Sequence, residues 1–234
     1  MIIFGVNMCY VIASNRDWNR DMVNQLEKST GHVFHYIEEK CDFTYDTLAR
    51  INPKYVFLPH WSYIIPQKIY SNFECVIFHM TDVPFGRGGS PLQNLISRGI
   101  YETKISALRC EKDVDAGPVY LKRDLSLYGG AEEIYMRAGK IIQEMMREIT
   151  LLQPVPVPQI GEVVAFQRRT PADGEISKLK NLDEVFDYIR MLDADGYPKA
   201  FLDVGNFRFE FERASMKNDN ILADVRIKMR KEHE

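Results

Sequence analysis

Along the first half of the chain, short runs of apolar and β-branched residues alternate with polar stretches whose apolar positions recur every three or four residues. Tyr10–Ala13, Val33–Ile37, Tyr55–Leu58 and Cys75–His79 read as strands, and Trp18–Lys28, Tyr45–Ile51 and a segment opening at Pro66 read as helices. This alternation predicts a mainly parallel sheet flanked by helices. Ligands collect beyond the carboxyl ends of such strands, so His60, Trp61 and His79 are expected on one rim.

Thr103–Cys110 and Pro118–Asp124 predict two further strands joined by the tight segment from Glu111 to Gly117. Ala131–Leu152 predicts a long amphipathic helix, with Ile134, Ala138, Ile141, Ile142, Met145, Met146 and Ile149 on its apolar face. The methionine pair there belongs to core packing. Pro154, Pro156 and Pro158 alternate with Val155 and Val157 and cannot continue a helix, which predicts an extended connector. The expected division is a main domain over residues 1–152, a connector over 153–165 and a small β-rich annex over 166–234. Within the annex, Leu182–Leu192 has helical spacing, while Phe201–Val204, Asn206–Arg213 and Ile221–Lys228 alternate as strands around turn signals at Gly205 and at residues 217–220.

Composition changes this picture little. A chain of 234 residues, 45% apolar, can bury a core without staples. The formal charge of −3 and the lack of a long basic run, apart from a tail at Arg226–Lys231 read as a solvated end, argue against nucleic acid as a partner. Cys9, Cys41, Cys75 and Cys110 have no metal-ligand spacing and read as buried thiols in a reducing compartment, so no metal is expected. The apolar start Met1–Ala13 has no basic flank or cleavage pattern, and no run approaches the roughly 18 apolar residues of a membrane helix. The expectation is a cytoplasmic protein without a membrane partner.

The candidate chemistry lies in Phe78-His79-Met80-Thr81-Asp82-Val83-Pro84-Phe85-Gly86-Arg87-Gly88-Gly89-Ser90-Pro91 and in the turn Val114-Asp115-Ala116-Gly117-Pro118. A strand-end histidine enters a loop whose glycines let backbone approach closely and whose Pro91 can open a helix. A carboxylate on a separate turn could face it, and such a pair can take a proton from an attacking amine, the carboxylate orienting the ring and stabilising its charged form. On residue types alone, a structural histidine and a simple Asp-Ala-Gly turn are the commoner reading.

These two segments resemble the paired signatures of the folate-dependent formyltransferase family: a histidine, a small hydroxyl residue, a proline, an Arg-Gly pair and a further proline, matched by His79, Thr81, Pro84, Arg87, Gly88 and Pro91, followed by an Asp-x-Gly turn matched at Asp115 to Gly117. The likeness covers Tyr55 to Leu125 and, more faintly, Phe166 to Phe201. It implies a Rossmann-like catalytic domain of the formyltransferase fold, an α/β class with a C-terminal annex, and 10-formyltetrahydrofolate as formyl donor to an amine. His79 would be the base or proton shuttle and Asp115 its partner. The loops similar to the family's folate-binding segments contribute Tyr63, Ile64 and Ile65, and Cys110, Glu111, Lys112 and Asp113, acting largely through backbone groups. Trp61 and Tyr63 could equally be core packing beneath the rim. One departure stands out: the family's asparagine two residues before the histidine, a donor to the formyl oxygen, is Ile77 here. Asn94 or a backbone N–H is the expected substitute.

Within the family, members acting on charged tRNA carry a longer C-terminal barrel and a basic surface, whereas this chain is shorter and slightly acidic. The stretch from Phe78 to Asn94 looks most like the sugar N-formyltransferases of the pseudaminic-acid group, and is also similar to formylation domains of peptide synthetases. The expected acceptor is therefore a nucleotide-linked amino sugar, UDP-4-amino-4,6-dideoxy-N-acetyl-altrosamine, with Arg87, Gly88, Arg16 and Asn94 as substrate-binding candidates, no nucleic-acid partner, and a homodimer allowed. The alternatives are an aminoacyl formylation domain, or a non-catalytic binder of folate or nucleotide sugar, for which Ile77 is the supporting feature.

Overall fold

A computed structural model describes residues 7–16 and 19–230 of the chain. Met1, Trp18 and Lys231, which entered the expectations above, lie outside them. The elements are β1 (Cys9–Ala13), α1 (Asp21–Thr30), β2 (Val33–Ile37), α2 (Tyr45–Ile51), β3 (Val56–Leu58), α3 (Gln67–Tyr70), β4 (Cys75–His79), β5 (Phe85–Gly88), α4 (Pro91–Ile96), β6 (Glu102–Arg109), β7 (Val119–Ser126), α5 (Ala131–Leu152), β8 (Val164–Phe166), α6 (Leu182–Arg190), β9 (Ala200–Val204), β10 (Phe207–Met216) and β11 (Ile221–Met229).

Local chemistry sets these boundaries. The Thr44 side chain caps α2 by accepting the N–H of Thr47, and Asn181 caps α6 by accepting that of Glu184. Gly31 ends α1 in the left-handed region, with its N–H on the carbonyl of Glu27. β1 is apolar without alternation because it is central: Tyr10, Val11, Ile12 and Ala13 are all fully buried, so both of its faces are covered.

The main sheet runs β2-β1-β3-β4-β6-β7. β1 pairs parallel with β2 and β3, and β3 parallel with β4, while β6 runs antiparallel to β4 with Ser106 opposite His79. It is a mixed, mostly parallel sheet flanked by helices, followed by an antiparallel C-terminal part, as the residue pattern predicted.

The chain forms two compact units that interleave in sequence. The first comprises the described part of Met1–Arg87 with Lys104–Asp124 and Ala138–Val164. It holds most of the main sheet and the buried face Ala138, Ile142, Met145, Met146 and Ile149 of α5. The proline connector is pinned within this unit: Val157 exchanges hydrogen bonds of 2.7 and 2.9 Å with Val119, and the Val164 N–H reaches the carbonyl of Pro84.

The second unit comprises Gly88–Thr103, Leu125–Arg137 and the described part of Ala165–Glu234. Its sheet is β11-β10-β9, antiparallel throughout. Arg190 and Asp187 of α6 form a buried ion pair at 2.6 Å. Arg190 also donates to the carbonyls of Leu127 and Gly129, and Tyr101 donates to Asp187, so segments before α5 are bound to α6. The basic tail is not a loose end, because Arg226 and Lys228 belong to β11. Two short strands escaped the sequence pattern, since Phe-Gly-Arg-Gly in β5 and the three residues of β8 are too brief to show a period. Among the described residues, no helix is long and apolar enough to cross a membrane and no group of side chains could hold a metal ion.

Candidate active site

β4 carries His79 to the carboxyl end of the sheet, and the loop beyond folds back onto it. The ring Nε2 lies 2.7 Å from the carbonyl oxygen of Gly86, and Thr81 Oγ1 donates to the same oxygen at 3.3 Å. Gly86 takes a φ of 77°, which favours glycine. The Thr81 carbonyl is held in turn by Ser106 Oγ at 2.7 Å. With Nε2 donating to a carbonyl, a neutral ring keeps its lone pair on Nδ1.

That nitrogen faces Asp115, with Oδ2 at 3.4 Å, and the two side chains are only 8% and 11% exposed. Asp115 projects from the turn between β6 and β7 with a φ of 52°, a left-handed geometry that aspartate tolerates. Two residues on, a Cβ at Gly117 would come within 1.9 Å of the Arg109 carbonyl, so only glycine lets the turn close. A proton arriving at Nδ1 is shared with a carboxylate in a water-poor setting, where the attraction is strong.

Two loops of the first unit meet on one apolar cluster. Trp61 and Ile65 after β3, Cys110 just beyond β6, and Ile77 all pack against a buried cluster that includes Leu48, Leu58, Ile69 and Cys75. Trp61 stacks obliquely on Phe43, which gives it a packing role, and Tyr63 meets its edge while remaining 40% exposed. Ile64 is 93% exposed, and Glu111, Lys112 and Asp113 are exposed as well. Burial, with Asp115 and Glu111 nearby, pushes the Cys110 thiol up to about 11, which leaves it a poor nucleophile. The cysteines are not uniformly buried: Cys75 is, whereas Cys41 is exposed.

Arg16 lies near His60, where burial and the Arg16 charge lower the imidazole to about 4. The His60 residue keeps partial exposure, but its Nε2 is closed to solvent. Arg87 directs Nε and Nη2 onto Gln159 Oε1 at 3.1 and 2.8 Å. The motif did not single out Gln159, and nothing in its proline-rich surroundings signals this role.

Gly88 and Asn94 are held by architecture within the second unit. A Cβ on Gly88, at a φ of 103°, would lie 2.5 Å from the Phe166 carbonyl. Asn94 Nδ2 donates to the carbonyls of Gly89, Ser90 and Gln167 at 2.9, 3.1 and 2.8 Å, while its Oδ1 accepts from Arg98. Both donor hydrogens of Asn94 are thereby committed, which weighs against it as the substitute for the missing asparagine. Ile77 packs against Leu108, Val83 and Val119 as well as the first cluster.

Comparison with known proteins identifies the family. Residues 171–228 match the model described as methionyl-tRNA formyltransferase, C-terminal domain. A methionyl-tRNA formyltransferase of Mesoplasma florum is 24% identical over 79% of this chain and 61% of its own length, so the chain spans about three fifths of that curated relative. The solved structure of a methionyl-tRNA formyltransferase from Clostridium thermocellum is 51% identical over 95% of this chain and 99% of that one, with a TM-score of 0.92. The chain belongs to the folate-dependent formyltransferase family, whose members draw the formyl group from 10-formyltetrahydrofolate.

These likenesses overturn the expected acceptor and the exclusion of nucleic acid. The formyltransferase PseJ of Anoxybacillus kamchatkensis, solved with a UDP-linked formamido sugar and tetrahydrofolate, is 17% identical over 67% of this chain, with a TM-score of 0.53. That shows a shared fold alone. Shortness was no argument against the tRNA group, because the Clostridium chain is of nearly the same extent. Net charge misled for a physical reason: contact with a polyanion depends on local cations within a Debye length, not on the sum over 234 residues.

Proposed function

We propose that this chain transfers a formyl group from 10-formyltetrahydrofolate to the amino group of methionyl-tRNA. The observation that carries the reading is 51% identity along nearly the whole length of a protein described by that activity. The reaction forms a bond between the acceptor nitrogen and the formyl carbon, breaks the bond from that carbon to N10 of the folate, and moves one proton from the amine to N10. His79 and Asp115 suit that proton, since Nδ1 and Oδ2 lie 3.4 Å apart and the carboxylate stabilises the charged ring. The exposed Ile64 and Tyr63 and the backbone of residues 110–113 are the segments offered to the folate.

The test is direct. Purified protein with 10-formyltetrahydrofolate should formylate methionyl-tRNA, read by acid-gel shift or by formylmethionine release, and leave UDP-linked 4-amino sugars untouched. No formylmethionine under conditions where a control enzyme turns over would refute the reading.

A further inference from the structure

We propose that Gln159 is a positioning residue that fixes both partners of the His79 ring at once. The inference rests on the proposed formyl transfer and goes beyond it by assigning a role to a connector side chain.

The Gln159 amide is used on both sides. Its Oε1 receives Nε and Nη2 of Arg87, 72 residues earlier in the chain, at 3.1 and 2.8 Å. Its Nε2 donates to the carbonyls of Asp115 and Gly117, both at 2.8 Å. An amide has two donor hydrogens and two acceptor positions, so these four contacts saturate it, and the donor-only guanidinium and acceptor-only carbonyls fix its orientation.

The two groups held in this way flank the histidine. Arg87 directly follows Gly86, whose carbonyl contacts Nε2, while Asp115 carries the carboxylate facing Nδ1. The Asp115 turn is otherwise held in a left-handed conformation over a glycine with no room for a side chain. Gln159 ties that turn to the loop on the opposite side of the ring. The Val157–Val119 hydrogen bonds anchor the connector that presents it. Misplacement of a reacting group by about 1 Å can cost on the order of a hundredfold in rate, so a clamp on both sides of the imidazole bears on turnover without touching substrate.

Three variants test this in the full-length protein. Gln159→Met removes both sides of the clamp at nearly constant volume, and Gln159→Glu keeps the Arg87 side while removing donation to the turn. Each should lower kcat about tenfold or more while KM for both substrates stays within about twofold, because the loss is confined to the transition state. In an Asp115→Asn background, Gln159→Met should add less than about twofold, since residues acting as a unit are non-additive. Multiplicative loss in both backgrounds, or normal kcat in Gln159→Met, would overturn the proposal.

A second readout needs no turnover and separates this claim from the proposed function. The imidazole 15N and 1H resonances of His79 should move in Gln159→Met and stay in place in Gln143→Met, a glutamine whose side-chain amide donates to Gln25. Unmoved His79 resonances in Gln159→Met would refute the clamp even if formyl transfer is established. An inactive wild-type protein would refute the function and leave the resonance test standing.

Discussion

The stretches His79–Arg87 and Gly88–Asn94 are consecutive halves of one glycine-rich segment, yet their side chains hold different things. In the first, His79 sits between the Gly86 carbonyl and the Asp115 carboxylate, with Thr81 and Ser106 securing the loop. In the second, Gly88 makes room for a passing backbone carbonyl, and Asn94 binds three others. Candidate residues of one segment therefore divide into those facing the proposed proton path and those that close the chain upon itself. Hydrogen-bond commitment distinguishes them where residue type and burial do not.

The largest effect expected from breaking this comparison lies in its first half. His79→Asn and Asp115→Asn should each lower kcat at least about a hundredfold, the scale of a lost proton-transfer group or its orienting partner. Steady-state formyl transfer checks this, and near-normal turnover in either variant would remove the pair from the chemistry. The second half should respond in stability. Gly88→Ala places a Cβ against the Phe166 carbonyl at a positive φ and should cost about 3 kcal/mol in urea unfolding, whereas Asn94→Ala, which strips partners from three carbonyls, should cost about 2 kcal/mol.

Ile77 sharpens the comparison from a third position. Its side chain lies in apolar packing with Leu108 and Val119, so Ile77→Asn should destabilise by about 1–2 kcal/mol and leave turnover unchanged or reduced. With the Asn94 amide committed, a backbone N–H is the donor this expectation relies on. A gain in kcat of about tenfold or more would show that the formyl oxygen lacks a donor that a side chain can restore.

An effect confined to acidic pH concerns His60. Its folded value of about 4 lies below the ordinary 6.5, so the unfolded chain takes up the proton first as pH falls. The associated stability is complete above pH 6.5 and is lost progressively between 6.5 and 4. His60→Asn should flatten the fall in melting temperature across that window, by an amount equivalent to about 1–2 kcal/mol. An unchanged slope would mean that His60 takes up its proton in the folded protein as readily as in the unfolded chain.

Much of the fold was legible because its elements obey local rules. β2, α2, β4 and α5 begin and end where periodicity, caps and prolines indicated, at Val33–Ile37, Tyr45–Ile51, Cys75–His79 and Ala131–Leu152, and α4 opens at Pro91 as expected. β5 and β8 were not, because such short strands carry no period and exist through pairing with distant chain. The interleaving of the two units escaped notice for the same reason, as the Arg190–Asp187 cluster joins residues more than 60 positions apart. At the site, the approach of His79 to Asp115 was visible as two spaced motifs. Gln159 was not visible, since a lone glutamine among prolines acquires its role only when the Asp115 turn and Arg87 are brought to it. The acceptor was misread from length and net charge, two global quantities that do not report a local surface, and from the likeness of Phe78–Asn94 to the pseudaminic-acid group, a segment around the formyl-transfer motif rather than an acceptor surface.

The most direct test of this division of labour measures kcat and the free energy of unfolding side by side for His79→Asn and Asn94→Ala. The account predicts that His79→Asn loses at least about a hundredfold in kcat with stability changed by less than about 1 kcal/mol, while Asn94→Ala loses about 2 kcal/mol of stability and keeps kcat within about threefold for the folded protein. A stable, active His79→Asn, or an Asn94→Ala that is fully stable yet inactive, would contradict it.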